Sequence, residues 1–131
     1  MKKSIIFFTL LINLLSCPAY ADSITIYTCE YDFFTDSKGK HTAENNFTFN
    51  FIIDTQKSEV LGIGNAGILT PMLLVSNSSG GITILEITAF GNVVVTAIDT
   101  ELNTVHSRHS FDLNGELIPS QYFGQCKKGL K

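Results

Sequence analysis

The sequence predicts an all-β fold, a small antiparallel up-and-down barrel or two-sheet sandwich of about eight strands. Three observations support this. The chain reads as short runs of β-branched and aromatic residues, each cut by turn residues. No amphipathic pattern of ordinary helix length interrupts them. The connectors are too short to hold crossover helices, so successive strands should pair antiparallel.

The first strand is read as Ile24 to Tyr31. In the second, Phe47, Phe49, Phe51 and Ile53 alternate with Thr48, Asn50 and Ile52, a period of two that sends the aromatic set to one face. Lys57 to Ile63 and Leu69 to Ser76 follow. Pro71 in the latter has no N–H for a ladder, which implies an edge or a bulge. Ile82 to Phe90, Asn92 to Asp99, Thr104 to Phe111 and Leu117 to Gln125 complete the series. The reversals use Asp36-Ser37-Lys38-Gly39, Asp54-Thr55-Gln56-Lys57, Ser78-Ser79-Gly80-Gly81, Gly91-Asn92, Asp99-Thr100-Glu101 and Asn114-Gly115. In these, Asp, Asn and Ser side chains can bond their own backbone, and Gly tolerates positive φ. The echo of Ile53-Asp54-Thr55 in Ile98-Asp99-Thr100 marks two strand exits rather than a repeat unit.

The N-terminus points to export. Met1-Lys2-Lys3-Ser4 precedes an apolar run from Ile5 to Leu15, and Ala19-Tyr20-Ala21 offers an A-x-A cleavage site. The run is about eleven residues, against the roughly twenty a membrane-spanning helix needs. Residues 1–21 are therefore read as a signal peptide and 22–131 as a single β domain, periplasmic or secreted, with no membrane span. The alternative is a lipoprotein anchored at Cys17, because Leu14-Leu15-Ser16-Cys17 has the form of a lipobox. Asn13 fits that pattern poorly, and the A-x-A site favours simple secretion.

Cys29 and Cys126 are the cysteines left after processing, one near each end of the domain. Outside the cytoplasm such a pair reads as a disulfide, and no C-x-x-C or adjacent histidine marks a reactive thiol. A bond between first and last strand is also what barrel closure would require, which favours the barrel over the sandwich. Without Lys2 and Lys3 the domain has 7 Lys+Arg against 12 Asp+Glu, a net charge of −5. That balance disfavours nucleic acid and anionic membrane as partners and suits a basic envelope or secreted protein. A monomer is expected.

Chemical signatures are sparse. Gly62-Ile63-Gly64-Asn65-Ala66-Gly67 matches G-x-G-x-x-G, but a dinucleotide site needs a helix to start there. Ile68-Leu69-Thr70-Pro71 is strand-like, so the glycines are assigned to a tight turn or bulge and no cofactor is expected. Val105-His106-Ser107-Arg108-His109-Ser110-Phe111 holds two of the three histidines and the only arginine. On a strand His106 and Arg108 share one face while His109 takes the other, so these histidines do not form a metal pair. Ser107, Ser120, Asp99 and Asp112 could supply a hydrolytic triad with histidine, yet no nucleophile-elbow sequence accompanies them, and no catalytic residue is assigned. Glu86 lies in the apolar run Ile82 to Ile87, where an unpartnered buried charge would be costly, so Arg108 is its expected partner across the sheet. Glu86, His106 and Arg108 form the candidate polar binding patch.

Val105-His106-Ser107-Arg108-His109 and Gly115-Glu116-Leu117-Ile118-Pro119-Ser120-Gln121-Tyr122-Phe123-Gly124-Gln125-Cys126 resemble the C-terminal signature of small exported bacterial proteins of unknown function. The Gly62–Gly67 segment and Ile84-Leu85-Glu86-Ile87-Thr88 resemble further parts of that pattern. In size, export and a single disulfide the chain is similar at fold level to the periplasmic inhibitors of lysozyme, which are small β-barrels. The expected role is thus a non-enzymatic binding or envelope-associated module, inhibitor-like in its most concrete form. A small-ligand carrier using a barrel interior lined by Phe47, Phe49 and Phe51 is the alternative, and a hydrolase-type enzyme comes third. Export predicts cleavage after Ala21: N-terminal sequencing of the exported protein should read Asp22 first, and a lipid-modified Cys17 in that position would contradict it.

Overall fold

A computed structural model describes residues 23–76 and 78–130, so the expected signal peptide and Cys17 lie outside the described residues. The strands are β1 (Ile24–Asp36), β2 (Gly39–Asp54), β3 (Glu59–Ile63), β4 (Leu69–Ser76), β5 (Ile82–Ile87), β6 (Val93–Ile98), β7 (Asn103–Phe111) and β8 (Leu117–Leu130). Each pairs antiparallel with its neighbour in the chain, and β8 returns to β1, giving a closed up-and-down barrel rather than a sandwich. Among the described residues no helix is long and apolar enough to cross a membrane.

Alternation along the strands decides what fills the barrel. Tyr27, Cys29 and Tyr31 of β1, Phe51 and Ile53 of β2, Val60 of β3, Ile84 of β5 and Ile98 of β6 point inward as a buried core. Burying each large apolar side chain contributes about 1.5–3 kcal/mol. The turns rest on aspartates at strand exits. Oδ1 of Asp36 accepts the Lys38 N–H, that of Asp54 the Gln56 N–H, that of Asp99 the Glu101 N–H, and that of Asp112 the Asn114 N–H. This bonding accounts for the recurring Ile-Asp-Thr.

The closing seam joins β1 to β8, with Cys29 directly opposite Cys126 and the two linked by a disulfide. Two positions toward the upper end, Gly124 faces Tyr31. A Cβ there would collide with the Glu30 carbonyl and lie 2.8 Å from Tyr31 Cα, so the strands approach this closely only because the residue is glycine.

Strand lengths are unequal. β1, β2 and β8 have 13, 16 and 14 residues, whereas β3 has 5 and β5 and β6 have 6 each. The first hairpin runs past the expected limits at Tyr31 and Phe47 to a turn at Asp36–Gly39, because a register shift between Tyr31 and Phe33 absorbs the polar residues that break the alternation. The upper end, which holds this turn and those at Gly64–Ile68, Thr88–Asn92 and Asp112–Glu116, is therefore uneven. β3 reaches along β2 only as far as Asn50, and β4 pairs with β5 only over Leu73–Ser76. The upper half of β4, Leu69–Met72, thus stands apart from β5 while β3 stays paired with β2 along its length, and Pro71 lies in that unpartnered part of β4, matching its expected edge position.

The G-x-G-x-x-G segment forms the expected tight turn between β3 and β4, at Gly64–Gly67, and its glycines have a packing role besides. Gly62 faces inward within β3, where a Cβ would overlap the end of Met72 and lie 3.0 Å from Phe49. A Cβ on Gly64 would lie 3.1 Å from the same ring. Gly64 and Gly67 bracket the turn, the Gly67 N–H donating to the Gly64 carbonyl at 2.9 Å, and Gly67 takes its positive φ of +70°. The seam predicts two results in urea unfolding. Replacing both Cys29 and Cys126 by alanine should remove about 4–5 kcal/mol of stability, the chain-entropy value for a loop of this length. Gly124→Ala should lower the midpoint with the disulfide intact, and an unchanged midpoint would contradict the close approach.

Candidate functional site: the open end of the barrel

The splits beside β3 and β4 open a cleft of about 330 Å³ at the upper end, lined by Phe47, Phe49, Gly64, Glu86, His106 and Arg108 among others. The three residues of the sequence-derived polar patch thus line one space. Glu86 is opposite Val94, and Val94 is opposite Arg108, so the two charges lie in one cross-strand row on the inner face of β5, β6 and β7. His106 is one inward position below Arg108, opposite Thr96 and Tyr122.

The expected Glu86–Arg108 ion pair is not formed. The ion pairs among the described side chains are His41–Asp36, Lys57–Asp54 and Lys127–Glu30, and neither Glu86 nor Arg108 joins one. Val94 and its strand stand between them, placing their Cα atoms about 9–10 Å apart, twice the strand spacing. The penalty that made a partner seem necessary is also absent: Glu86 is only half-buried and Arg108 is exposed, so water reaches both.

His106 is 3% exposed. Its Nδ1 is 2.8 Å from Thr96 Oγ1, and the rings of Tyr31, Phe47, Phe49 and Tyr122 surround it at centroid distances of 5.6, 5.8, 5.5 and 6.0 Å. Burial, with a smaller contribution from the Arg108 charge, pushes its pKa from 6.5 down to about 4, so the imidazole is neutral at neutral pH. Burial pushes the Tyr31 hydroxyl up to about 12, and that oxygen is 3.4 Å from Thr104 Oγ1. His109 is exposed on the outer face, as alternation requires. Asp99 and Asp112, considered for a triad, have carboxylates accepting N–H groups of their own turns, while the mapped partner of His106 is a threonine hydroxyl.

Two further hollows adjoin the cleft. One of about 380 Å³ is lined by Phe34, His41, Ala43, Phe47 and Tyr122; another of about 270 Å³ includes Arg108, Ser110, Ser120 and Tyr122. They share Phe47 and Arg108 with the cleft, so the tall wall of β1, β2, β7 and β8 forms an aromatic shelf above it. On this shelf Tyr122 stacks on Phe34, which stacks on His41, at 5.1 and 4.9 Å.

The rim was not anticipated from sequence. Ile68, Phe90 and Leu113 occupy three turns of the upper end and are 69%, 92% and 106% exposed. The turns at the opposite end carry Asp54-Thr55-Gln56-Lys57, Ser78-Ser79-Gly80-Gly81 and Asp99-Thr100-Glu101. An available signal was topological: in an up-and-down chain every second turn falls on the same end, and these three each place an apolar residue beside a turn-forming Gly or Asn.

The buried histidine predicts a specific pH dependence. Its folded pKa lies below its unfolded value, so its contribution is fully present above pH 6.5 and is lost as pH falls toward about 4. The full loss is about 3 kcal/mol. The Asp36 and Asp112 carboxylates, held below the ordinary value of 3.8 chiefly by the N–H groups of Lys38 and Glu116, act in a lower window. Stability measured by urea unfolding should fall between pH 6.5 and 4 in the native chain, and His106→Gln should flatten that slope.

No family model matches the chain, and comparisons with curated proteins and with solved structures gave no match.

Proposed function

We propose that the protein is an exported, non-enzymatic binding module of the cell envelope that engages its partner with the open end of the barrel. The observation that carries this reading is the difference between the two ends. Three turn tips at one end offer Ile68, Phe90 and Leu113 to water around a polar cleft, while the turns at the other end are hydrophilic. Exposed apolar groups ringing a recess with few polar contacts are the composition of a recognition surface. The signal-like N-terminus and the Cys29–Cys126 disulfide support a periplasmic or secreted location. In its most concrete form the module is inhibitor-like, with the rim seated on a basic envelope or secreted protein and the acidic domain favouring the encounter.

A carrier that fills the whole barrel finds less support. Phe51, Ile53 and Ile84 are 0%, 1% and 1% exposed and occupy the lower interior themselves. Phe47 and Phe49 do line the cleft, which leaves room for a small ligand only at the mouth. The test is paired capture from envelope extract with the native domain and with a Phe90→Ser, Leu113→Ser variant. A partner retained by the native domain should be lost from the variant while thermal unfolding stays within a few degrees. Equal capture by both would remove the rim from recognition.

A further inference from the structure

We infer that the cleft at the barrel mouth is a binding site for a small zwitterion of the α-amino-acid class, its ammonium held by Glu86, its carboxylate by Arg108 and its apolar side chain against Val94, Phe47 and Phe49. The inference rests on the open end being the binding end, and it goes further in assigning the cleft a ligand of its own, separate from any partner on the rim.

Charge placement is the first support. Glu86 and Arg108 are the cleft-lining residues that carry charge at neutral pH, since the third ionisable one, His106, is kept neutral by burial. They lie on opposite sides of Val94 in a single row, both on the inner face, and they do not pair with each other. Two opposite charges left apart over one recess suit a ligand that carries both signs on a short frame. Arg108 offers a planar fork suited to a carboxylate, and Glu86 offers acceptors to an ammonium.

The walls are the second support. Between the charges lies Val94, 6% exposed, which provides an apolar floor. Phe47 and Phe49 line the same cleft, and the ring of Phe49 keeps its place because Gly62 and Gly64 give it room. Ala66, in the β3–β4 turn, brings only a methyl group to the cleft wall. A volume of about 330 Å³ is at the lower end of the range for small-molecule sites. Thr70 and Thr88, which also line the cleft, add hydroxyls able to bond either end of such a ligand.

The test titrates the folded domain with L-phenylalanine, N-acetyl-L-phenylalanine and L-phenylalaninamide, followed by calorimetry and by amide chemical shifts. The first should bind saturably at millimolar or lower concentration, with shifts centred on Glu86, Val94 and Arg108. Each analogue lacks one charge and should bind about tenfold more weakly. Glu86→Gln and Arg108→Gln should each weaken L-phenylalanine by a similar factor, with the fold checked by circular dichroism. If either variant fails to fold, the analogue series on the native chain still decides. Absence of saturable binding, or analogues that bind as well as the parent, would overturn the assignment. The Phe90→Ser, Leu113→Ser variant keeps the cleft intact and should bind L-phenylalanine as the native domain does. Loss of partner capture in that variant and loss of amino-acid binding in the charge variants are therefore separately readable.

Discussion

The pairing of β1 with β8 brings together residues 97 positions apart, and it is the one strand pairing between elements distant in sequence. The other pairings join neighbours across a turn and would form equally well in an open sheet. Closure removes the two edges such a sheet would leave and turns one face of every strand into an interior. For a domain of this size, with a modest core, a covalent bond at the seam is a large share of typical stability. Gly124 shows how tight the seam is: one methyl group would separate the strands that the disulfide joins.

Closure is complete only in the lower part of the barrel, and the candidate site is a consequence of that. The long strands on either side of the seam rise above β3, β5 and β6. Their inner faces continue upward with aromatic rings that have no strand opposite to cover them. The same mismatch leaves the upper half of β4 without β5 beside it, and Glu86 and Arg108 reach water on the inner face of their strands. A barrel of equal strand heights would have buried these charges, and they would then have needed each other.

Much of this architecture was legible in the sequence because it follows from local rules. The aspartates at strand exits, the period of two in Phe47–Ile53 and the lone cysteine near each end of the domain gave the strand count, the turns and the closing bond. Alternation alone placed His106 and Arg108 on one face and His109 on the other. What was not legible depended on register and strand height. The continuation of the first hairpin past Tyr31 is concealed by polar residues absorbed in a register shift, so the sequence showed two shorter strands with a long loop. The exposure of Glu86 to water depends on how far β4 pairs along β5, which no local pattern encodes. The packing role of Gly62 and Gly64 becomes visible only when Phe49, a residue of another strand, is in place.

An open mouth has a hazard of its own. Above Asn50, β2 runs on without β3 beside it, and a strand in that situation can template pairing with another chain. Several features obstruct this. Oδ1 of Asn65 accepts the Thr48 N–H at 3.4 Å, occupying a donor an incoming strand would seek. The register shift opposite Tyr31 and Phe33 interrupts the regular ladder. Lys40 sets its ammonium 3.8 Å from the centre of the Phe33 ring, placing a charge near the far end of the stretch. Together they let the barrel keep an incomplete wall while making that wall a poor seed for strand exchange or fibril growth.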